Sequence, residues 1–173
     1  KQLYPDVPIV LGGIEASLRR VTHYDYWSNT LKPTILEESK ADLLVYGMGE
    51  KPIVEIVNQV KAGVSVSQIQ NIRQTAYITS IKPEAIINHP ETLTLTSHEE
   101  CLNDKIKYAA NFREIEVQSN RWEGNTLIQE VNNKWLVINP PYPPMEESEV
   151  DRVYDLPYTR LPHPRYNSKR IPA

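Results

Sequence analysis

Two acids, Glu15 and Glu50, each follow a glycine turn that closes a short apolar run. The runs are Pro8-Ile9-Val10-Leu11 and Ala41-Asp42-Leu43-Leu44-Val45-Tyr46, and the turns are Gly12-Gly13 and Gly47-Met48-Gly49. If both turns reach one edge of a sheet, the acids flank a crevice as a carboxylate pair. The competing reading places each acid in the first turn of a helix, where a carboxylate complements the positive end of the macrodipole. Arg19-Arg20 follows the first turn. It either grips a phosphate or carboxylate or faces solvent or a neighbouring acidic helix. Adjacent glycines let the backbone bend sharply and approach a ligand, or they make a tight turn with none. The residues nearest any ligand would be Gly12, Gly13, Glu15, Ser17, Arg19, Arg20, Gly49 and Glu50.

Other chemistries find little support in residue spacing. His23, His89, His98 and His163 stand in four unrelated contexts, with no second ligand-type residue at metal spacing. Cys101 has no histidine paired with it for nucleophilic work and reads as a buried or idle thiol. A Walker loop, a nucleophile elbow and a full dinucleotide fingerprint are all missing, and Gly47-Met48-Gly49 lacks a third glycine at the required distance.

The elements that would position these residues form an α/β pattern. A short apolar run bounded by proline and glycine fits a strand buried on both faces. Ile14 to Arg20 then reads as a helical turn or two. The second run leads into Lys51 to Ala62, whose Ile53, Val54, Ile56, Val57 and Val60 share one face, with Gly63 ending the helix. Two successive strand–glycine–helix units imply a right-handed crossover and a parallel sheet. Between them, the aromatic stretch His23 to Ser28 reads as a lid or interface, and Thr34 caps a short helix over 35–39. Ser65 to Ile69 reads as a further short helix. Thr75 to Thr79 reads as a strand leaving the sheet, and Thr92 to Leu95 as a short edge strand. Ser97-His98-Glu99-Glu100 is a capping box that opens one helix reaching about Ser119. Thr126–Val131 and Trp135–Asn139 pair as a hairpin about Asn132-Asn133. From 140 to 172 there are eight prolines and no glycine, so this tail is an extended strap, interrupted by a short helix within 145–154. The expected division is a partial Rossmann-like α/β segment over 1–81, a helix and β-hairpin over 82–139, and a proline-rich strap over 140–173.

Composition narrows the function. A chain of 173 residues supports one domain with a core and an appendage. A net charge of -3 gives no nucleic-acid footprint. No run approaches the roughly 20 apolar residues that span a bilayer, and no signal peptide is visible. One cysteine rules out an internal disulfide framework or a multi-cysteine metal site. The expected setting is the cytoplasm. The start at Lys1 and the stop at Pro172-Ala173 read as the ends of a segment of a larger protein.

Several stretches resemble the YgiQ-like radical SAM proteins. They are Val7 to Arg20 with His23 to Ser28 behind it, Ser39 to Glu50, Asn139-Pro140-Pro141, and the tail from Leu156-Pro157-Tyr158-Thr159-Arg160 through Pro162 to Tyr166 and Arg170 to Ala173. The resemblance implies a parent enzyme with a 4Fe-4S cluster and S-adenosylmethionine, held by a CxxxCxxC motif in a barrel that follows these residues. Cys101 matches no cluster position, so no metal ligand or catalytic residue is implied here. The implied partners are the parent's own barrel and a small-molecule or macromolecular substrate that the resemblance does not identify. The first half also resembles the carboxyl-terminal half of cobalamin-binding Rossmann domains, with Gly12-Gly13 and Gly47-Met48-Gly49-Glu50 at the matching turns. The cobalt-ligating histidine loop of those domains belongs to their other half, so the resemblance implies no complete cobalamin site. The alternative functions are a non-catalytic nucleotide- or phosphate-binding module and a structural interface module.

Overall fold

The computed structural model describes Lys1 and residues 3–166. The end of the expected strap, 167–173, lies outside the described residues. Two compact units divide the chain, 1–143 and 144–173.

In the first unit, β1 (Val10–Leu11) runs through Gly12 into α1 (Gly13–Leu18). The chain then makes an antiparallel ribbon of β2 (His23–Asp25) and β3 (Thr30–Lys32). Next come α2 (Ile35–Ser39), β4 (Leu43–Val45) and α3 (Glu50–Lys61). A 3-10 turn at Val66–Gln68 leads to β5 (Thr75–Thr79), then α4 (Glu84–Ile87) and β6 (Thr92–Thr94). The last elements are α5 (His98–Asn103), α6 (Lys105–Ser119), β7 (Thr126–Val131) and β8 (Lys134–Ile138).

Six strands form one sheet in the order β1-β4-β5-β8-β7-β6. The β1–β4 pair is parallel, as the two strand–glycine–helix units require, and it forms the Rossmann-like part of this mixed α/β fold. β5 does not leave the sheet as its sequence suggested. It lies antiparallel between β4 and β8, and the β7–β8 hairpin joins the same sheet, with β6 at the far edge parallel to β7. A strand's direction comes from long-range pairing, which a local pattern of Thr75 to Thr79 does not encode.

Side chains alternate cleanly across the sheet, as the pleat demands. Leu44, Ala76, Leu127, Leu136 and Ile138 face one layer with Ala16 of α1, Leu36 of α2 and Ile115 of α6. Leu43, Val45, Tyr77, Ile128 and Val137 face the other layer with Ile56 of α3 and the loop residues Val66, Ile69 and Ile72. Strands buried on both faces explain the unbroken apolar runs. Each fully buried leucine or isoleucine here contributes roughly 1.5–3 kcal/mol.

One local reading gains a frame and another changes. The aromatic stretch is half of the β2–β3 ribbon, with Asp25 accepting from Ser28 N at 3.0 Å and Ser28 Oγ at 2.5 Å to close its loop. The expected single helix over 97–119 breaks at Asp104, whose backbone is extended (φ -140°, ψ 105°). Its carboxylate accepts from Ile106 N at 2.8 Å and caps α6. The hairpin turn is as expected: Asn132 and Asn133 both take left-handed backbone (φ 51° and 59°), the two-residue turn that matches strand twist.

The second unit holds α7 (Glu147–Tyr154), opened by a reciprocal capping box between Glu146 and Glu149, and a 3-10 turn at Pro164–Tyr166. No helix of the described residues is long and apolar enough to cross a membrane.

Candidate functional site

Strand direction decides what meets at each end of the sheet. β4 runs with β1, β5 against both, and β8 with β4. The carboxyl ends of β1, β4 and β8 therefore share one edge with the amino ends of β5 and β7. Along this edge lie Gly12-Gly13, Gly47-Met48-Gly49, Gln74, Gly124-Asn125 and Asn139-Pro140-Pro141. Ligands of open α/β sheets sit at such carboxyl edges.

The edge is tied by specific bonds. Ser17 Oγ donates to Gly13 O at 2.8 Å and accepts from Gly47 N at 3.1 Å, so one hydroxyl joins the two glycine turns. Gln74 holds the second turn from the other side. Its Nε2 donates to Met48 O, its carbonyl accepts Tyr46 N at 3.1 Å, and its own N donates to Pro140 O at 2.8 Å. Asn139 fastens the Asn-Pro-Pro stretch through Nδ2, which donates to Gln70 O (3.0 Å), Ile72 O (2.9 Å) and Thr75 Oγ1 (3.0 Å). Arg73 Nε adds a bond to Pro141 O at 2.9 Å.

The glycines are not equivalent. Gly12 is extended (φ -159°), and a Cβ there would make only an ordinary contact with Val45 O. Gly47 has φ +65°, and a Cβ would lie 3.3 Å from Gln74 Nε2. Replacing Gly47 by alanine is expected to cost about 1–2 kcal/mol through the left-handed backbone alone. Gly49→Ala should be nearly neutral, since its Cβ would meet Val45 Cγ1 at 3.5 Å. Urea denaturation of the two variants checks the contrast.

A cleft of about 270 Å³ opens beside this edge. Its polar side chains are Ser17, Arg20, Tyr46, Gln118, Ser119 and Asn125, and Ile115, Leu127, Ile138 and Pro141 supply apolar wall. Arg20 stacks on the Tyr46 ring with 5.0 Å from guanidinium carbon to centroid, and its Nη1 donates to Ser17 O at 2.5 Å. Burial lowers the Arg20 pKa from its ordinary value, while Tyr46 and Glu116 oppose that shift. The Tyr46 hydroxyl donates to Asn139 O at 2.5 Å, and burial pushes its pKa well up. It is a positioning group, not an acid in use near neutral pH.

The sequence candidates separate into two sets. Ser17 and Arg20 line the cleft, and Gly13 is joined to its wall through Ser17. Arg19 turns elsewhere, pairing with Glu15 at 3.2 Å and Asp25 at 3.7 Å. Glu15 and Glu50 both occupy the first turn of a helix, α1 and α3 respectively. Glu15 is exposed, whereas Glu50 buries Oε2 without a hydrogen-bond partner. Gly12, Glu15, Arg19, Gly49 and Glu50 are not among the cleft's lining residues. Tyr46, Gln118, Asn125 and Gln74 were not singled out from sequence. Tyr46 stood in full view at the end of the second apolar run. Gln74 and Gln118 carry no local signal, because their roles depend on contacts far along the chain.

Among the described residues no group of three His, Cys, Asp or Glu side chains could hold a metal. Cys101 is buried, its thiol pKa raised by that burial, and it accepts from Asn111 Nδ2 at 3.3 Å. These donors do not fit an iron–sulfur cluster.

The family described as Radical SAM N-terminal matches residues 1–173, and the chain belongs to it. A UPF0313 protein of Porphyromonas gingivalis is 54% identical over 173 residues, covering all of this chain and 27% of that protein. A UPF0313 protein of Bacteroides thetaiotaomicron is 52% identical, again across the whole chain and 29% of its own length. One from Rhodopseudomonas palustris is 38% identical, with 28% of its length covered. The chain thus spans somewhat over a quarter of these curated relatives. No solved structure matches it.

Proposed function

We propose that this chain is the part of a radical SAM enzyme that shapes the substrate side of the active centre, with the cluster ligands supplied by a barrel elsewhere in the longer protein. The observation that carries the reading is the convergence at one sheet edge. The stretches that resemble the radical SAM proteins, namely the two glycine turns and Asn139-Pro140-Pro141, lie far apart in sequence. They are held together by Ser17, Gln74, Tyr46 and Asn139. Rigid turns at a carboxyl edge suit a surface that positions something above it. The proposed partners are the enzyme's own barrel and its substrate, in the cytoplasm. The cofactors proposed for the whole enzyme are a 4Fe-4S cluster and S-adenosylmethionine, bound outside these residues.

Iron and sulfide analysis after anaerobic reconstitution tests the division of labour. This chain alone should retain substoichiometric iron, and the longer protein about four irons per chain, as a 4Fe-4S cluster requires. A stoichiometric cluster on this chain would overturn the reading.

A further inference from the structure

We infer that the Arg20 cleft is a binding site for a small organic anion, a carboxylate or phosphate carried on a compact apolar body. This stands apart from the radical SAM reading, because it concerns what these residues bind by themselves. A guanidinium has five N–H donors and no acceptor. In Arg20 one donates to Ser17 O, and Nε–H is buried without a partner. The remaining three N–H groups belong to the terminal nitrogens beside the cleft. Arginines in such settings are normally neutralised by a carboxylate. Arg19, its neighbour, has two. Among the described residues no carboxylate stands within ion-pair range of Arg20, and no acid lines the cleft. The acids of α6 do not serve: Glu114 accepts from Gln118 Nε2 at 3.1 Å, and Glu116 acts on Arg20 only through space.

The cation is also held in place. Its guanidinium carbon lies 5.0 Å over the Tyr46 ring centroid, and the tyrosine is itself fixed through its hydroxyl to Asn139 O. A pre-oriented guanidinium loses little freedom when it binds an oxyanion. In the same cleft, Ile115, Leu127, Ile138 and Pro141 offer apolar contact. About 270 Å³ lies just under the usual range for small-molecule sites, enough for a single ring with its charged group and too little for a dinucleotide.

The test uses this chain with phenyl phosphate, phenylacetate and neutral benzyl alcohol. Calorimetry is combined with the assigned Arg20 Nε–H resonance in ¹⁵N-edited NMR. One or both anions should saturate a single site with Kd on the order of 1 mM and shift that resonance, and the stronger anion identifies the preferred head group. Benzyl alcohol should bind at least about tenfold more weakly. Arg20→Gln should lose about tenfold, Arg20→Lys less, and Arg19→Gln about nothing. The wild-type resonance gives a result even if the Arg20 variants fold poorly. Equal binding of the alcohol, equal loss in Arg19→Gln, or no saturation up to about 20 mM of either anion would overturn the inference.

Discussion

Replacing Asn139 by alanine is expected to destabilise the first unit by about 2–3 kcal/mol, and by aspartate more. The amide nitrogen of Asn139 serves Gln70 O, Ile72 O and Thr75 Oγ1 together. A net hydrogen bond contributes about 1 kcal/mol, and a buried acceptor left bare costs more. Alanine removes the donors, although Ile72 O keeps its bond from Thr75 Oγ1, whereas aspartate turns a negative oxygen toward the Gln70 and Ile72 carbonyls. The backbone bonds from Asn139 N to Thr75 O (2.9 Å) and from Gln74 N to Pro140 O survive both changes. The sheet should therefore persist while the Asn-Pro-Pro stretch loosens. Urea unfolding followed by circular dichroism gives the midpoint shift, and an unchanged slope assigns it to native-state stability. A shift below about 0.5 kcal/mol for both variants would show that this side chain does not fasten the edge.

Gln129→Leu is expected to cost a similar amount, about 2–3 kcal/mol, at a site where an apolar side chain looks natural. Gln129 is 1% exposed in the middle of β7. Its Oε1 accepts from Thr22 N at 3.0 Å, and its Nε2 donates to Thr96 O at 2.9 Å. Thr22 in turn lies 3.0 Å from His98 Nδ1 through its hydroxyl, and Asn111 exchanges two bonds with the Thr96 backbone. This network joins the β2–β3 ribbon, β7, α5 and α6 inside the core layer. Leucine would add apolar burial but leave the Thr22 N–H buried with no acceptor, and that penalty exceeds the gain. A leucine variant as stable as wild type would show that Thr22 finds another partner.

Much of the fold was readable because burial on both faces writes long apolar runs. Leu43 to Val45 is unbroken for that reason, Val10-Leu11 is a half-buried edge strand, and the glycines after both mark the chain's exit from the sheet. The turn at Asn132-Asn133 was equally open, since asparagine tolerates left-handed backbone. What sequence hid was long-range. The place of β5 inside the sheet is fixed by its partners Leu44 and Val137, more than thirty residues from it on one side and about sixty on the other. Asp104 did carry a signal, a capping residue inside a helical pattern, and its cap outweighs helix continuity. At the site, Arg19 and Arg20 looked interchangeable. Only packing separates them, one answered by Glu15 and Asp25, the other stacked on Tyr46. Glu15 and Glu50 both sit in the first turn of a helix, where the dipole favours an acid.

The proposal that the glycine-turn edge of the sheet faces the active centre of a longer radical SAM enzyme can be tested directly. A nitroxide carried by an unnatural amino acid at exposed Met48 reports on that edge. A second label at Asn133 reports on the hairpin turn beyond the opposite end of β8, about 16 Å away over five residues of strand. With the cluster of the longer protein reduced, and so paramagnetic, relaxation enhancement should be clearly stronger at position 48 than at position 133. Stronger enhancement at 133, or none at either position, would contradict the assignment of this edge to the substrate side.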